Sequence, residues 1–288
     1  MTNHHNMENE NVIFNQAAIG YSLKLPALRD VNLRLHTSAI YGLFGENGSG
    51  KTTLLNTITG GIPPMAGSLT VNGFEMPCRD PRLLSELFYV PQYPRTAALT
   101  PTAMAECYGP LYPLFSHEQF ADNIKLLGVD THRKMTKMSP GEIKKALLAL
   151  AFATGCSLIL LDEPLNSLDM GGKRAFQSLL ARTDITDKTI LISSHSAPEL
   201  QNIITDVIML YGRRVIMDSS IDALAETFTF GSTAGYCDDI VFEEGLKTIG
   251  RNHDGIYSDP DIELLYTAIH QSEYFRNIIS TDHIQDDK

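Results

Sequence analysis

The 288-residue chain lacks several features that would place it in a specialised class of proteins. Its 4 cysteines (Cys78, Cys107, Cys156 and Cys237) lie far apart, so no CxxC pair is available for zinc binding or redox chemistry. We expect free thiols in a reducing compartment. The chain shows no internal repeat and no low-complexity segment, and its first residues carry no apolar stretch typical of a signal peptide.

Long hydrophobic runs are also missing. The longest apolar stretch, residues 146–161, is interrupted by small and polar residues at 154–157. It is shorter than the roughly 20 residues that a helix needs to span a bilayer. This stretch predicts a buried helix, a turn and a buried strand, in a chain that is soluble by itself.

Positive charge is scarce as well. The chain has 23 basic and 34 acidic side chains, a net charge of −11, which disfavours a nucleic-acid-binding protein. Residues 216–288 contain 15 of the acidic and 4 of the basic side chains, so they carry the whole net charge. The pattern predicts a neutral main body with an acidic C-terminal appendage. A hydrophobic content of 43% is sufficient for a sizeable core.

The strongest motif is the sequence GENGSGKT at residues 45–52, which fits the phosphate-loop pattern GxxxxGK[ST]. An apolar run at 39–44 precedes it, and apolar residues at helical spacing follow it at 53–59. In this strand–loop–helix context, glycines let backbone N–H groups turn around phosphate oxygens. Lys51 is expected to reach the β- and γ-phosphates and Thr52 to offer its hydroxyl to Mg²⁺. The residues predicted to contact the nucleotide here are Gly45, Glu46, Asn47, Gly48, Ser49, Gly50, Lys51, Thr52 and Thr53.

A second motif lies at residues 157–163, SLILLDE, where an apolar strand runs into two acids. Asp162 suits Mg²⁺ binding, and Glu163 suits polarising the water that attacks the γ-phosphate. Taken alone, the two acids are also compatible with a solvated strand end.

Further motifs follow a recognisable order along the chain: Gln92 in FYVPQYP, Ser139–Glu142 in MSPGE, Asp169 in NSLD and His195 in TILISSH. With the phosphate loop and the acid pair, this order resembles the ATP-binding subunits of ABC transporters, most closely those of bacterial ABC-2-type exporters. The resemblance covers residues from about 12 to 225.

The resemblance implies an α/β fold, the P-loop NTPase fold of an ABC nucleotide-binding domain. The ABC ATPase domain is expected at residues 10–225, with a helical subdomain inserted at about 93–155. A small acidic α+β extension is expected at 226–288. Within the insert, residues 99–115 and 117–127 are predicted to be helices. In the extension, short strands are predicted at 240–257, followed by a helix capped at Asp259.

The resemblance also implies a role for each remaining site residue. Glu163, His195 and Lys51 are the expected catalytic residues, with His195 contacting the γ-phosphate and steadying Glu163. Thr52, Gln92 and Asp162 are the expected Mg²⁺ ligands. Tyr21 is expected to stack on adenine, with packing against the sheet as the alternative. Ser139, Gly141, Glu142 and Asp169 are expected to act across a dimer on the nucleotide of the second subunit.

The segment Ser139–Glu142 departs from the family's usual Ser-Gly-Gly-Gln. A Ser-x-x-Glu sequence is also a helix capping box, and Pro140 stands at the favoured first helical position. Pro140 removes one N–H donor and Glu142 adds a negative charge, whereas Ser139 and Gly141 remain, so the departure bears on the rate of hydrolysis and not on the family assignment. A degenerate subunit that binds ATP without hydrolysing it is an alternative, but an intact Glu163 and His195 argue against it.

ATP and Mg²⁺ are therefore the expected ligands. The expected partners are a second ABC ATPase subunit, identical or different, and a separate multi-span membrane permease, with no nucleic acid. The chain is expected on the cytoplasmic face of the cell membrane, where it powers transport, with export favoured. The alternative is a soluble ABC ATPase that is not coupled to transport. Tyr108, Tyr112 and Phe115 either line a groove for a helix of the partner or form the core of the helical insert.

Overall fold

Three β-sheets and nine α-helices make up the part of the chain that a computed structural model describes, residues 10–22, 25–232 and 239–281. Cys237 and residues 282–288 of the predicted extension lie outside the described residues. The strands are β1 (Glu10–Ile19), β2 (Leu28–His36), β3 (Ala39–Phe44), β4 (Ala66–Val71), β5 (Phe74–Glu75), β6 (Leu87–Val90), β7 (Leu158–Asp162), β8 (Thr189–Ser194), β9 (Asp206–Tyr211), β10 (Arg214–Ser220), β11 (Phe228–Ser232), β12 (Ile240–Glu244) and β13 (Lys247–Arg251). The helices are α1 (Lys51–Ile58), α2 (Pro81–Leu84), α3 (Pro101–Tyr108), α4 (His117–Leu127), α5 (Pro140–Ala151), α6 (Met170–Arg182), α7 (Ile221–Thr227), α8 (Ile262–Gln271) and α9 (Glu273–Thr281).

The central sheet has six strands in the order β10-β9-β3-β8-β7-β6, parallel except for the β10–β9 pair. Strands β3, β7 and β8 are buried along their whole length, as expected for parallel strands covered on both faces. Alternate residues of β7 belong to two different hydrophobic clusters, one on each face of the sheet. Leu158 and Leu160 pack in one hydrophobic cluster, and Ile159 and Leu161 pack in the other. The apolar run predicted to be a helix, a turn and a strand is therefore α5 and β7.

The strand register brings the predicted site segments together. Asp162 of β7 pairs with Ser193 of β8, and Phe44 of β3 pairs with Ser194 on the other side of β8. Val90, the last residue of β6, pairs with Leu161. Because parallel strands end at the same edge of a sheet, the phosphate loop and the residues that follow β6, β7 and β8 all meet there. This edge, beyond the carboxyl ends of the strands, is where open α/β sheets bind ligands.

A four-stranded antiparallel sheet, β2-β1-β4-β5, lies over helix α1. Alternating residues of β2 are buried, which is the pattern of a strand with one face on a core. Leu54 and Leu55 of α1 share one hydrophobic cluster with this sheet and with Tyr41 and Leu43 of β3. Helix α1 is thus held between the two sheets, and its first residues lie at the edge that forms the site.

The helical insert differs from prediction in one place. The predicted helix at 99–115 is only half that length, because α3 ends at Tyr108 and a single 3₁₀ turn, Gly109–Leu111, follows. Pro110 has no N–H to continue the α-helical hydrogen bonds. A Cβ at Gly109 would lie 2.7 Å from the Phe115 ring, so the chain folds back on itself there. Helix α4 has the predicted bounds and ends at Gly128 in the left-handed conformation.

The C-terminal extension forms a three-stranded sheet, β11-β13-β12, with α7, α8 and α9 around it. Its helix α8 is capped by Asp261, whose side chain accepts a hydrogen bond from Leu264 N; the predicted cap at Asp259 is wrong. One face of this helix is core, since Ile262, Leu265 and Ile269 are fully buried. Within the described ranges, no helix has both the length and the apolar character to cross a membrane.

Candidate functional site

The phosphate loop has the backbone shape that its glycines predict. Gly48 has a φ of 83° and Gly50 a φ of 109°, both in the region that favours glycine. A Cβ at Gly50 would lie 2.9 Å from Leu28 Cγ, so no larger residue fits at the start of α1. Gly50 is the N-cap of α1 and supplies no side-chain cap. The N-terminal end of this helix therefore faces the loop with its positive dipole end, a geometry suited to phosphate.

The Lys51 side chain lies along the inside of this loop and is almost fully buried. Its ammonium donates to Gly45 O at 2.7 Å and to Glu46 O at 3.3 Å, and it lies 3.5 Å from Glu163 Oε1. Burial lowers the pKa of Lys51, and the nearby Glu163 carboxylate partly opposes that shift. Lys51 is thus held at the loop by two backbone carbonyls and a nearby carboxylate.

The Asp162 carboxylate is completely buried and is oriented by three hydroxyl groups. Thr52 Oγ1 donates to Oδ2 at 2.8 Å, Ser193 Oγ donates to Oδ1 at 2.7 Å, and the Tyr89 hydroxyl lies 3.3 Å from Oδ2. Burial, together with the charge of Asp162, raises the pKa of Tyr89, so this phenol stays protonated and remains a donor. The sequence analysis did not single out Ser193 or Tyr89, because a lone hydroxyl at a strand end carries no distinctive pattern.

The Glu163 carboxylate lies between two of the predicted catalytic side chains. His195 Nδ1 is 2.9 Å from Glu163 Oε2, and Lys51 approaches the other oxygen. Asn166 Nδ2 donates to Oε2 at 3.3 Å, a contact that the sequence analysis missed. Glu163 has a φ of 45°, which non-glycine residues rarely adopt, and its N–H donates to Ser193 Oγ at 2.9 Å. The structure thus brings Lys51, Glu163 and His195 together.

A cavity of about 160 Å³ lies in front of the loop. Its walls come from the phosphate loop, Gln92 and Glu163. Lys51 and the glycine-rich backbone are suited to phosphate oxygens. The hydroxyl of Thr52, the amide of Gln92 and the carboxylate of Asp162 are the oxygen ligands that Mg²⁺ prefers. The residues present therefore fit a nucleotide phosphate with a magnesium ion.

Tyr21 follows β1 and is 73% exposed, so its ring packs little against the sheet. Its hydroxyl accepts a hydrogen bond from Asn56 Nδ2, on helix α1, at 3.3 Å. Two further aromatic side chains near the loop, Tyr41 and Phe44, are buried within β3 and are not accessible to a base.

The start of α5 has the capping box that its sequence predicts. Ser139 Oγ accepts from Glu142 N, and Glu142 Oε2 accepts from Ser139 N at 2.8 Å. The other oxygen of Glu142 pairs with Arg133. A Cβ at Gly141 would lie 2.4 Å from Ser167 O, so this glycine permits a close approach between the helix and the loop after β7.

That loop ends at Asp169, the N-cap of α6. Its carboxylate accepts from Gly172 N at 2.8 Å, a bond that lowers the pKa of Asp169. Lys145 on α5 lies 3.4 Å from the same oxygen, and the Asp169 side chain remains largely exposed. Ser139, Gly141, Glu142 and Asp169 thus form one neighbourhood at the surface, where α5 and α6 begin.

Lys144 on α5 was also missed by the sequence analysis. Its side chain is buried, and its ammonium contacts three backbone carbonyls, those of Pro91, Gln92 and Asp162. Burial lowers the pKa of Lys144 to about 8. In sequence, this lysine stands in a helix next to a second lysine, and nothing in the pattern distinguishes the buried one.

Known proteins share this arrangement of segments. A family model described as ABC transporter matches residues 28–166. The ABC transporter ATP-binding protein NatA of Bacillus subtilis (strain 168) is 32% identical over 211 residues, which cover 70% of this chain and 85% of that protein. The manganese transport system ATP-binding protein MntB of the same organism is 27% identical over 242 residues, covering 78% of this chain and 94% of that protein.

A solved structure of a dimeric ATP-binding cassette, in a post-hydrolysis state bound to ADP and Pi, has a TM-score of 0.64 at 21% identity. The aligned region covers 73% of this chain and 98% of the cassette chain. This similarity confirms the predicted P-loop fold. The chain therefore belongs to the ABC transporter family as one of its ATP-binding subunits, an ATPase that acts on ATP with Mg²⁺.

Proposed function

We propose that Glu163 is the residue that polarises the water attacking the γ-phosphate of ATP. The observation that carries this proposal is the position of its carboxylate, between Lys51 Nζ at 3.5 Å and His195 Nδ1 at 2.9 Å. A carboxylate held beside the phosphate-binding lysine is placed to accept a proton from water at the phosphate. His195 orients the carboxylate and contacts the γ-phosphate.

Lys51 exchanges partners when the nucleotide enters. Without nucleotide, Glu163 provides the nearby negative charge for this buried ammonium. Phosphate oxygens carry more charge and take over that role, which frees the Glu163 carboxylate for water. The same exchange couples nucleotide binding to activation of the base.

Thr52, Gln92 and Asp162 would hold the magnesium ion, which would neutralise charge on the phosphates. Asp162 is pre-oriented for this task by Ser193 and Tyr89. The remaining residues of the loop bind phosphate oxygens through their backbone, and the exposed ring of Tyr21 stacks on the adenine.

Two copies of this chain, or this chain and a similar subunit, pair so that each completes the site of the other. One chain carries one phosphate loop and one Ser-Pro-Gly-Glu segment, at the start of a helix whose positive end suits a phosphate. Ser139, Gly141 and Glu142 then face the nucleotide of the partner, and Asp169 crosses to it. The negative charge of Glu142, offset in part by Arg133, slows turnover.

The partner that uses the energy is a separate multi-span permease, and the chain works on the cytoplasmic face of its membrane. A cavity of about 250 Å³ between β6, α3 and α5 supports this proposal. Met104, Tyr108 and Tyr112 are among its lining residues, and they suit the apolar side chains of a short cytoplasmic helix. Phe115 packs instead against Phe120, with ring centroids 6.3 Å apart, inside the helical insert.

Export is the proposed direction of transport. It is supported by the resemblance of residues 99–127 and of the C-terminal extension to ABC-2-type exporter subunits. The proposed division of the chain keeps residues 10–225 as the ATPase domain, with an insert at about 93–155, and residues 226–288 as an accessory extension. The separate sheet β11-β13-β12 lies entirely within residues 226–288.

The catalytic assignment is tested with Glu163→Gln, which keeps the size of the side chain and removes the base. Phosphate release is expected to fall by about 10²–10⁴-fold, while ATP binding persists. Glu75→Gln, on the exposed strand β5, is the matched control and is expected to leave turnover unchanged. Turnover of Glu163→Gln within twofold of the unmodified protein would contradict the assignment.

The transport assignment is tested by purifying the tagged protein from its own cells in mild detergent and identifying its partners by mass spectrometry. A stoichiometric partner with several predicted membrane spans is expected. Recovery with soluble partners alone would favour the ABC ATPase that is not coupled to transport.

A further inference from the structure

Lys144 is a lysine in an unusual environment. Its relative exposure is 2%, and lysine is almost never buried to this extent unless its charge is satisfied. The ammonium lies 2.7 Å from Pro91 O, 3.0 Å from Gln92 O and 3.4 Å from Asp162 O. An ammonium group has three N–H donors, so these three carbonyls satisfy all of them.

The three carbonyls belong to two segments that are far apart in the chain. Pro91 and Gln92 follow strand β6, whereas Asp162 ends strand β7. Lys144 itself is on α5, whose first turn begins beside Ser139. One side chain therefore ties the start of α5 to the backbone of two proposed magnesium ligands.

We infer that Lys144 is a positioning residue for the magnesium site: it holds the backbone of Gln92 and Asp162 at a fixed spacing and links both to helix α5. The inference rests on the proposed assignment of Gln92 and Asp162 as metal ligands. Groups that hold metal ligands in place typically change metal affinity by about 10–100-fold when they are removed. Lys144 acts from behind these ligands, through their carbonyls, and touches neither the nucleotide nor the ion.

The link to α5 gives the contact a further consequence. Helix α5 begins with the residues proposed to face the nucleotide of the partner subunit. A shift of α5 on pairing would be passed by the Lys144 ammonium to Gln92 and Asp162.

A purely structural contact on the same helix provides a matched control. Asn123 on α4 is also buried, and its Nδ2 donates to Ala149 O of α5 at 3.2 Å. The acceptor, Ala149 O, lies near the C-terminal end of α5, whereas Ser139 lies at the N-terminal end. Removing the Asn123 amide weakens the packing of α5 without touching the carbonyls of Gln92 and Asp162.

The experiment compares Lys144→Met, Lys144→Arg, Asn123→Ala, Gln92→Ala and Asp162→Asn in the full chain. Hydrogen–deuterium exchange is followed over residues 90–95 of the nucleotide-free protein. ATP affinity is measured with Mg²⁺ and with EDTA, and the Mg²⁺ concentration for half-maximal turnover is determined. Thermal unfolding of every variant gives its stability.

For Lys144→Met, we expect faster exchange over residues 90–95 and an increase of about tenfold in the Mg²⁺ concentration for half-maximal turnover. ATP affinity in EDTA is expected to stay within twofold. Lys144→Arg keeps a positive charge and several donors, so it is expected to recover part of the Mg²⁺ affinity. Asn123→Ala is expected to unfold at a lower temperature with an unchanged Mg²⁺ requirement.

Two outcomes would overturn the inference, and they can be told apart. If Gln92→Ala raises the Mg²⁺ requirement and both Lys144 variants leave it unchanged, Lys144 has no positioning role although the metal site is correct. If Gln92→Ala and Asp162→Asn both leave the Mg²⁺ requirement unchanged, the proposed metal site is wrong and the inference fails with it. Should Lys144→Met fail to fold, Lys144→Arg and Lys144→Gln supply the same comparison.

Discussion

Ser193 shows how a single hydroxyl shapes the acid pair of the site. Its Oγ donates to Asp162 Oδ1 at 2.7 Å and accepts from Glu163 N at 2.9 Å. The first bond sets the rotamer of Asp162, and the second supports the left-handed backbone of Glu163. One side chain thus holds both a proposed metal ligand and the proposed base, and it is buried with them.

Ser193→Ala is expected to lower the free energy of unfolding by about 1–3 kcal/mol, because a buried carboxylate oxygen and a buried N–H lose their partner. We expect a larger loss in kcat than in ATP affinity, since the hydroxyl contacts both acids and not the nucleotide. Urea unfolding and steady-state phosphate release measure the two effects.

Ser194→Ala is the matched control for that substitution. Ser194 is also buried at the end of β8, but its hydroxyl donates to Ser196 O at 3.0 Å and makes no bond to either acid. Equal losses of kcat in the two variants would show that any change at the end of β8 lowers kcat and that the Ser193 hydroxyl has no specific role.

At the scale of the element, helices α4 and α5 have the same kind of N-cap and different surroundings. Ser139 caps α5 and Ser116 caps α4, each by accepting a bond from the N–H three residues later. Ser139 alone of these two belongs to a capping box, and its neighbour Gly141 touches the loop after β7. The start of helix α5 is therefore stabilised by its own capping box. The proposed contact with the partner's nucleotide involves the same groups.

Substituting each cap by alanine separates these two uses. Ser139→Ala and Ser116→Ala are each expected to lower the free energy of unfolding by about 1 kcal/mol. Only Ser139→Ala is expected to reduce ATP-dependent pairing and turnover, because only that hydroxyl is proposed to face the second nucleotide. Each cap substitution is combined with Glu163→Gln, and pairing of the subunits is measured by size-exclusion chromatography in the presence of ATP. Equal pairing of the two variants would remove Ser139 from the proposed site.

At the scale of the whole molecule, the acidic extension is packed into the main core. Phe228 and Phe275, with ring centroids 5.5 Å apart, belong to the same hydrophobic cluster as Met209 of β9 and Met217 of β10. Polar contacts reinforce this packing. The Arg276 guanidinium lies 4.7 Å from the ring centroid of Tyr211, at the end of β9. The extension and the central sheet therefore share one core.

Helix α8 also reaches the phosphate loop. His270 Nε2 lies 3.9 Å from Glu46 Oε1, and the His270 ring meets Tyr211 edge-on at 5.3 Å. A cavity of about 370 Å³ lies between this helix and the back of the loop. The acidic extension thus borders the nucleotide site from behind.

Phe275→Ala tests whether the extension and the main body unfold together. The side chain is fully buried, so its removal is expected to cost about 3–5 kcal/mol. Because the core is continuous, calorimetry is expected to show one transition at a lower temperature. Tyr274→Ala, at an exposed neighbouring position, is expected to change little. A second transition that moves alone in Phe275→Ala would show that the extension unfolds separately.

The motifs were readable from the sequence because each depends on neighbouring residues. The glycines at 48 and 50 permit the loop backbone, Ser139 and Glu142 close a capping box within one turn, and fully apolar runs predict strands buried on both faces. The order of these motifs was enough to predict the ABC transporter family and its fold. The roles of individual residues, from Tyr21 to His195, stay predictions.

Tertiary structure alone decided which other residues surround those motifs. Residues that are far apart or indistinct in sequence come together in three places. Asp162 pairs with Ser193 across two strands, and α3 ends before Phe115. The Lys144 ammonium donates to the backbone carbonyls of Gln92 and Asp162. Sequence spacing specifies contacts within one helix or strand, where the geometry is regular. Contacts between elements depend on register and packing, which are set only when the whole core closes.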